Sequence, residues 1–393
     1  MATTNQISEV TPVSAPPSVS LLVVVAAMPA QQLESILASL TGAFPAEDLL
    51  IATPTESAAD SHPSLRIVTF PESDAAWRIT PGDFLNAWQL AQKNDARAIL
   101  MLGPESASLE PAGLCDLANA VVKGSTDLAV PFYELPPHAG LVNSAILYPL
   151  TRSMFATRVR YPLAIDLGLS LRMAEHLAVA AQRVTNQEDA LLWPISEASV
   201  AGFTVDEFDA GARTLPQPAD PNLNSILALV TGSLFADIEA KAAFWQRPRR
   251  LPPARHAIAD MPMVDGASDV GPMIEAFRLA YLNLQEIWSL VLPPATLLGL
   301  KRLSVVDAAS FRMPESLWTR IVFDFLIAYR LRTINRGHLL GALTPLYLAW
   351  AAGHINASAS GGAERHIEAG AAAFEADKQY VVSRWRWPDR FNS

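Results

Sequence analysis

The chain has one cysteine, Cys115, among 393 residues. That excludes an intramolecular disulfide and points to a reducing compartment. Charge is sparse as well: Asp, Glu, Lys and Arg make up 17% of the residues, with a formal net charge of −10. Basic patches draw proteins to phosphate-rich surfaces, so neither nucleic acid nor anionic membrane is an expected partner. No Lys or Arg precedes Arg66, so the apolar run Val19–Met28 lacks the positive flank of a signal peptide. It is too short to span a bilayer, and no other run reaches the roughly 20 apolar residues that a span needs. A cytoplasmic location is therefore expected. Gly-x-Ser-x-Gly, Walker and Gly-x-Gly-x-x-Gly loops are missing, and with them the signals for a nucleophile-elbow hydrolase, a P-loop NTPase or a dinucleotide enzyme. His338, His354 and His366 have no spacing with Cys or acids that would make a zinc site.

What is present is apolar. Hydrophobic residues make up 50% of the chain, enough for a buried core in one large or two medium domains. Residues 1–18, polar and rich in Pro and Ser, read as a tail. From there to about residue 135, apolar runs at 20–27, 48–53, 65–70, 96–102 and 126–133 alternate with helical patterns. Leu33, Ile36, Leu37 and Leu40 share one face of the first helix. Thr80-Pro81 is an N-cap followed by proline at the first helical position. Such alternation predicts a mostly parallel sheet covered on both faces. Ligands of these sheets sit beyond the carboxyl ends of the strands, here near 26–29, 53–57 and 103–106. After a strand-like segment at 201–210, helices are expected over 222–246, 270–291, 315–336, 337–354 and 364–385. The expected organisation is a tail (1–18), an α/β domain (19–247) and an α-helical C-terminal domain (248–393), with the proline-rich stretch 248–263 as the connection.

One block is more specific. Residues 131–170 read PFYELPPHAGLVNSAILYPLTRSMFATRVRYPLAIDLGLS. Pro131, Tyr133, Gly140, the run Tyr148-Pro149-Leu150-Thr151-Arg152, Arg158, Arg160, Pro162, Asp166, Gly168 and Ser170 together resemble a segment of bacterial glycosyltransferases of the glucosyl- and mannosyl-glycerate synthase type. Weaker likeness extends over NQEDALLW (186–193), DAGARTLPQPADPNL (209–223) and the C-terminal FEADKQYVVSRW (374–385). The resemblance implies a GT-A fold, meaning a Rossmann-like, mostly parallel sheet with flanking helices, followed by a helical C-terminal domain. It also implies a nucleotide-sugar donor, a small hydroxylated acceptor, and Mg²⁺ or Mn²⁺ as cofactor. A homo-oligomer is left open.

The departures from that pattern fall on charged positions. Where the family carries an Asp-x-Asp metal motif after a strand, this chain has Gly103-Pro104-Glu105-Ser106. The base-binding acid after the second strand is replaced by Thr53-Pro54-Thr55-Glu56, an Arg-His-Lys run by Leu135-Pro136-Pro137, and the metal-ligand His by Leu215. A hard divalent cation needs several oxygen ligands, and Glu105 is the one weak candidate. By resemblance, Asp166, Glu188 and Asp189 are the candidate catalytic or acceptor-side acids. Glu105, Arg158, Arg160 and Arg213 are candidates for the donor diphosphate, and His138 and Gly140 for the acceptor loop. Each has a plainer alternative. Asp166 can cap backbone amides in a tight turn, Thr185-x-x-Glu188 is a ready capping box, and Arg213 can be a salt-bridge residue. Two functions remain: hexosyl transfer from a nucleotide-sugar to a small acid or glycan hydroxyl, or a glycosyltransferase scaffold without catalysis that serves binding or interaction.

Overall fold

The computed structural model describes residues 19–55, 61–73, 77–136, 138–184, 191–217, 222–253, 269–359 and 362–388. The expected tail, the candidates Glu188 and Asp189, and most of the proline-rich connection lie outside them. The sheet has seven strands: β1 (Val19–Val25), β2 (Leu49–Thr53), β3 (Arg66–Thr69), β4 (Ala96–Leu102), β5 (Leu128–Glu134), β6 (Asp166–Ser170) and β7 (Val205–Ala212). Their spatial order is β3-β2-β1-β4-β6-β5-β7. All neighbours run parallel except β6, which is antiparallel to both β4 and β5.

The central strand shows why these runs fold this way. Side chains alternate across a strand. Leu22 and Val24 of β1 join one core with Phe84 and Ala87, while Leu21, Val23 and Val25 join another with Leu33, Ile36, Leu37 and Leu40. A strand buried on both faces needs apolar residues at every position, and SLLVVV supplies them. Helix α1 (Ala30–Ala43) and the later helix Pro111–Val122 cover the second face. Helix α2 (Pro81–Lys93) covers the first. Helix α2 begins with a full capping box: Thr80 Oγ1 accepts from Asp83 N, and the Asp83 carboxylate accepts from Thr80 N at 2.7 Å.

The helical C-terminal region is also as expected, although two of its long segments are broken while 315–331 and 336–358 are continuous. Residues 270–291 divide into Gly271–Asn283 and Gln285–Ser289, and residues 364–385 into Ala363–Ala376 and Lys378–Arg386. One core runs from this region into the first half of the chain. Ala145, Ile146, Leu150 and Phe155 pack in the same cluster as Leu234, Trp318, Phe325 and Trp350. Among the described residues, one helix, Leu223–Ala240, is long and apolar enough to cross a membrane by length and composition. Its Leu227, Val230, Leu234, Phe235 and Ile238 are buried in that core.

The amino end of the sheet is tied by a carboxylate. Asp127, just before β5, accepts from Thr204 N (2.9 Å), Thr204 Oγ1 (2.8 Å), Ser170 Oγ (2.9 Å) and the Arg172 guanidinium, which joins β5, β6 and β7. Burial alone would raise its pKa, but the hydrogen bonds from Arg172, Thr204 and Ser170 outweigh burial and hold the carboxyl well below the usual range. A depressed folded pKa gives stability that is fully present above the unfolded value of about 3.9 and is lost as pH falls toward the folded value. The stability gap between the native chain and Asp127→Asn, measured by urea unfolding, should therefore be largest near about pH 6 and shrink by about pH 3. A gap independent of pH would contradict this assignment.

Candidate functional site

The carboxyl ends of β4, β5 and β7 and the start of β6 meet at one point, because β6 runs against its neighbours. Asp166 opens β6 opposite Leu102, the last residue of β4. It is fully buried. Its Oδ1 accepts from Gly103 N at 3.1 Å and Arg213 Nη2 at 3.3 Å, and its Oδ2 accepts from Tyr133 Oη at 2.7 Å and Arg213 Nε at 3.0 Å. Only glycine fits at 103: a Cβ there would lie 2.8 Å from Ile165 O. Absence of that side chain lets the β4 end approach the carboxylate closely.

Arg213, immediately after β7, is 1% exposed. Besides the two bonds to Asp166, Nη2 donates to Pro104 O at 2.7 Å, and Nη1 donates to Thr214 O at 2.9 Å and Ser108 Oγ at 3.3 Å. A guanidinium has five N–H donors and a carboxylate about four acceptor positions. Here five donors meet five protein acceptors, and four acceptor positions meet four protein donors. Neither group has capacity left for a ligand. Burial, reinforced by the neighbouring Asp166 carboxylate, pushes the Tyr133 phenol well above its usual range, so it stays a donor. Burial likewise raises the Asp166 carboxyl, against the pull of Arg213, Tyr133 and Gly103.

The structure thus brings Asp166 and Arg213 together, but as a structural clamp. The Arg213 donors hold the 103–108 loop to the β7 end. Glu105 is exposed and has left-handed backbone geometry (φ 63°) at the start of a short 3₁₀ turn, where its own carbonyl accepts from Ser108 N and Oγ. Among the described residues, no three His, Cys, Asp or Glu side chains gather as a metal would require. The donor set does not fit the Mg²⁺ or Mn²⁺ that the resemblance implies.

Arg158 and Arg160, also expected near a donor, turn to the helical region. Arg160 is buried; its Nε pairs with Glu364 Oε1 at 3.0 Å and its Nη2 donates to Ser144 Oγ at 3.1 Å. Arg158 donates to Pro252 O at 2.8 Å and lies 4.0 Å from Glu368. Arg152, from the Tyr-Pro-Leu-Thr-Arg run, joins Glu368 at 2.6 Å and also pairs with Glu375. The matched arginines therefore bind three acids of one helix, Ala363–Ala376. Sequence reasoning missed those acids as partners, although their spacing places them on one helical face.

The expected acceptor loop closes on apolar contacts. Gly140 has φ 64°, and a Cβ added there would lie 3.0 Å from Leu135 Cδ1 and 3.7 Å from Leu215 Cδ1. Leu215 stands where the resemblance calls for a metal-binding imidazole, and it is half-buried against this loop. His138 also has left-handed geometry (φ 63°) and lies near enough to His354 for its charge to act on that imidazole.

A mostly parallel seven-stranded sheet with one reversed inner strand, flanked by helices and followed by a helical region, is a GT-A-like α/β fold. The sequence matches no family model and no curated protein at a significant level. Similar solved structures include glucosyl-3-phosphoglycerate synthase from Mycobacterium tuberculosis in complex with Mn²⁺, uridine diphosphate and glucosyl-3-phosphoglycerate. It is 14% identical with a TM-score of 0.37, the match covering 60% of this chain and 81% of that one. Mannosyl-3-phosphoglycerate synthase from Rubrobacter xylanophilus is 13% identical with a TM-score of 0.39, covering 60% of this chain and 79% of that one.

Proposed function

We propose that this chain is a glycosyltransferase-type scaffold that works by binding, without metal-assisted sugar transfer. The observation that carries this reading is the saturated, fully buried pair Asp166–Arg213, which is bonded to the 103–104 backbone of the loop where the resemblance calls for a metal motif. A departing nucleoside diphosphate develops charge that a metal or free cations must stabilise, an effect of several kcal/mol. At about 1.4 kcal/mol per decade, a site lacking both loses several powers of ten in rate. Glu105, as a lone exposed carboxylate, offers no remedy. The packing of Leu135 and Leu215 around Gly140 supports the same reading, because it puts apolar surface where an acceptor's hydroxyls would need polar partners.

The test is thermal unfolding of the full chain with UDP- and GDP-sugars, each with Mn²⁺ or with a chelator. A ligand at about 100 times its Kd adds about 2.7 kcal/mol of stability, an easily visible shift. The expected result is that any stabilisation is the same with metal and with chelator, and that no nucleoside diphosphate is released. A shift that needs Mn²⁺, or metal-dependent release of nucleoside diphosphate, would overturn the proposal in favour of an active hexosyltransferase.

A further inference from the structure

The helix Ala363–Ala376, whose acids receive the arginines, has a second attachment made of two imidazoles. His366 from this helix and His354 from helix Arg336–Ser358 are 5% and 3% exposed. Their Nδ1 atoms lie 2.9 Å apart, and the His354 ring stacks on Trp350 with centroids 5.1 Å apart. Ser358 Oγ donates to His354 O at 2.8 Å, so its contact with His354 Nε2 at 3.4 Å requires the hydrogen on that Nε2. His354 Nδ1 is then bare and accepts from His366 Nδ1. The bond exists only while His354 is neutral.

A proton added to His366 has a place to go, because its bare Nε2 lies 3.8 Å from Glu315 Oε1. A proton added to His354 must enter at Nδ1, where it meets the His366 hydrogen head on. Two buried donors facing each other leave both without an acceptor, which costs free energy. The surrounding charges act in the same direction. Burial foremost, then His366, His138 from the loop after β5 and Arg160 from the segment before β6, hold the His354 imidazole at about 3. Burial also holds His366 below its usual range, with Glu315 pulling upward and Arg312 pushing down. A histidine with a depressed folded pKa gives stability that is complete above its unfolded value of about 6.5 and is lost as pH falls toward the folded value.

We infer that the His354–His366 contact is an acid-released latch: protonation of His354 frees helix Ala363–Ala376 from helix Arg336–Ser358. Release draws Glu364 and Glu368 away from Arg160 and Arg152. Those pairs do not themselves set the window. Burial would raise the Glu368 carboxyl, but bonds from Tyr148 and Arg152 outweigh it and hold the group below its usual range. The next helix, Lys378–Arg386, responds with the opposite sign. Burial raises Asp324, which accepts from Tyr380 and Arg384, to about 6 against the pull of Arg384. A raised carboxyl gives stability that grows as pH falls through its folded value, so acid keeps this last helix seated. The latch does not depend on what the strand-end cleft binds.

Hydrogen exchange of the full chain at pH 7 and pH 5, each corrected for its intrinsic exchange rate, reads the latch. Protection of the Ala363–Ala376 amides should fall by about twentyfold or more over that interval, the change expected for one imidazole that titrates only when released. The Lys378–Arg386 amides should not follow. His354→Gln keeps an acceptor for His366 Nδ1 but does not titrate, and it should cut the fall by about tenfold. His366→Gln offers a carbonyl to a protonated His354, so it should also reduce the fall, and it serves as the test if the first variant does not fold. Unchanged protection of Ala363–Ala376 between pH 7 and pH 5, or an equal fall in the native chain and in either variant, would overturn the inference.

Discussion

Asp166→Leu and Arg213→Met are each expected to lower the unfolding free energy by about 3–5 kcal/mol, because each leaves one uncompensated polar or charged partner in a dry site. Both side chains are fully enclosed, and each substitution also strands other groups. Loss of the carboxylate leaves a guanidinium with two donors unmet, and loss of the guanidinium uncouples Pro104 O and Thr214 O from β7. The double replacement Asp166→Leu with Arg213→Met should cost far less than the sum, since a buried ion pair exchanged for apolar groups of similar volume is often near neutral. Urea unfolding of the four proteins in a double-mutant cycle reads this directly. Single substitutions within about 1 kcal/mol of the native chain would mean that the pair is not a clamp. A ligand role for Asp166 would then be open again.

Trp318→Ala should have an effect of the same size for a different reason. Trp318 is 1% exposed, lies 6.3 Å from the Trp350 ring, and donates from Nε1 to Ala145 O at 2.7 Å. Ala145 belongs to the π-helical turn Asn143–Leu147 that leads into the matched run 148–152. Truncation opens a cavity and removes a buried hydrogen bond, for a loss of about 3–5 kcal/mol. Trp318→Phe keeps most of the volume, so its smaller cost isolates the hydrogen bond and should lie nearer 1–2 kcal/mol. Hydrogen exchange should show the 143–155 segment opening more readily in Trp318→Ala. Exchange confined to the helical region would disprove the coupling.

How much of this was legible in the sequence depended on the distance over which each feature is encoded. The strands at 19–25, 49–53 and 96–102 carry their assignment in continuous apolar runs, and α2 carries its start in Thr80-Pro81 and Asp83. The helix Leu171–Val184 has an equally local code, with Met173, Ala174, Leu177, Ala178 and Ala181 buried at helical spacing, but the sequence reading placed no helix there. β6 was not legible. Asp-Leu-Gly-Leu-Ser is short and glycine-broken, and nothing local declares a strand antiparallel inside a mostly parallel sheet. The site divides in the same way. Missing acids and imidazole could be counted from the sequence, but the pairing of Asp166 with Arg213, 47 positions apart, is a property of strand order. His354 and His366 likewise show no metal-type spacing, yet the packing of helix Arg336–Ser358 beside helix Ala363–Ala376 sets them ring to ring.

The three acids Glu364, Glu368 and Glu375 act as teeth on a rack, and Arg160, Arg152 and Arg158 as the matching notches. Sliding the helix by one turn, about 5.4 Å, would set Glu364 opposite Arg152 and leave Arg160, which is buried, facing no acid. Intermediate positions strand several charges at once, so the helical half has one permitted seat on the sheet half. Insertions or deletions ahead of this helix must therefore be absorbed in loops, because the spacing of its acids measures the fit between the two halves.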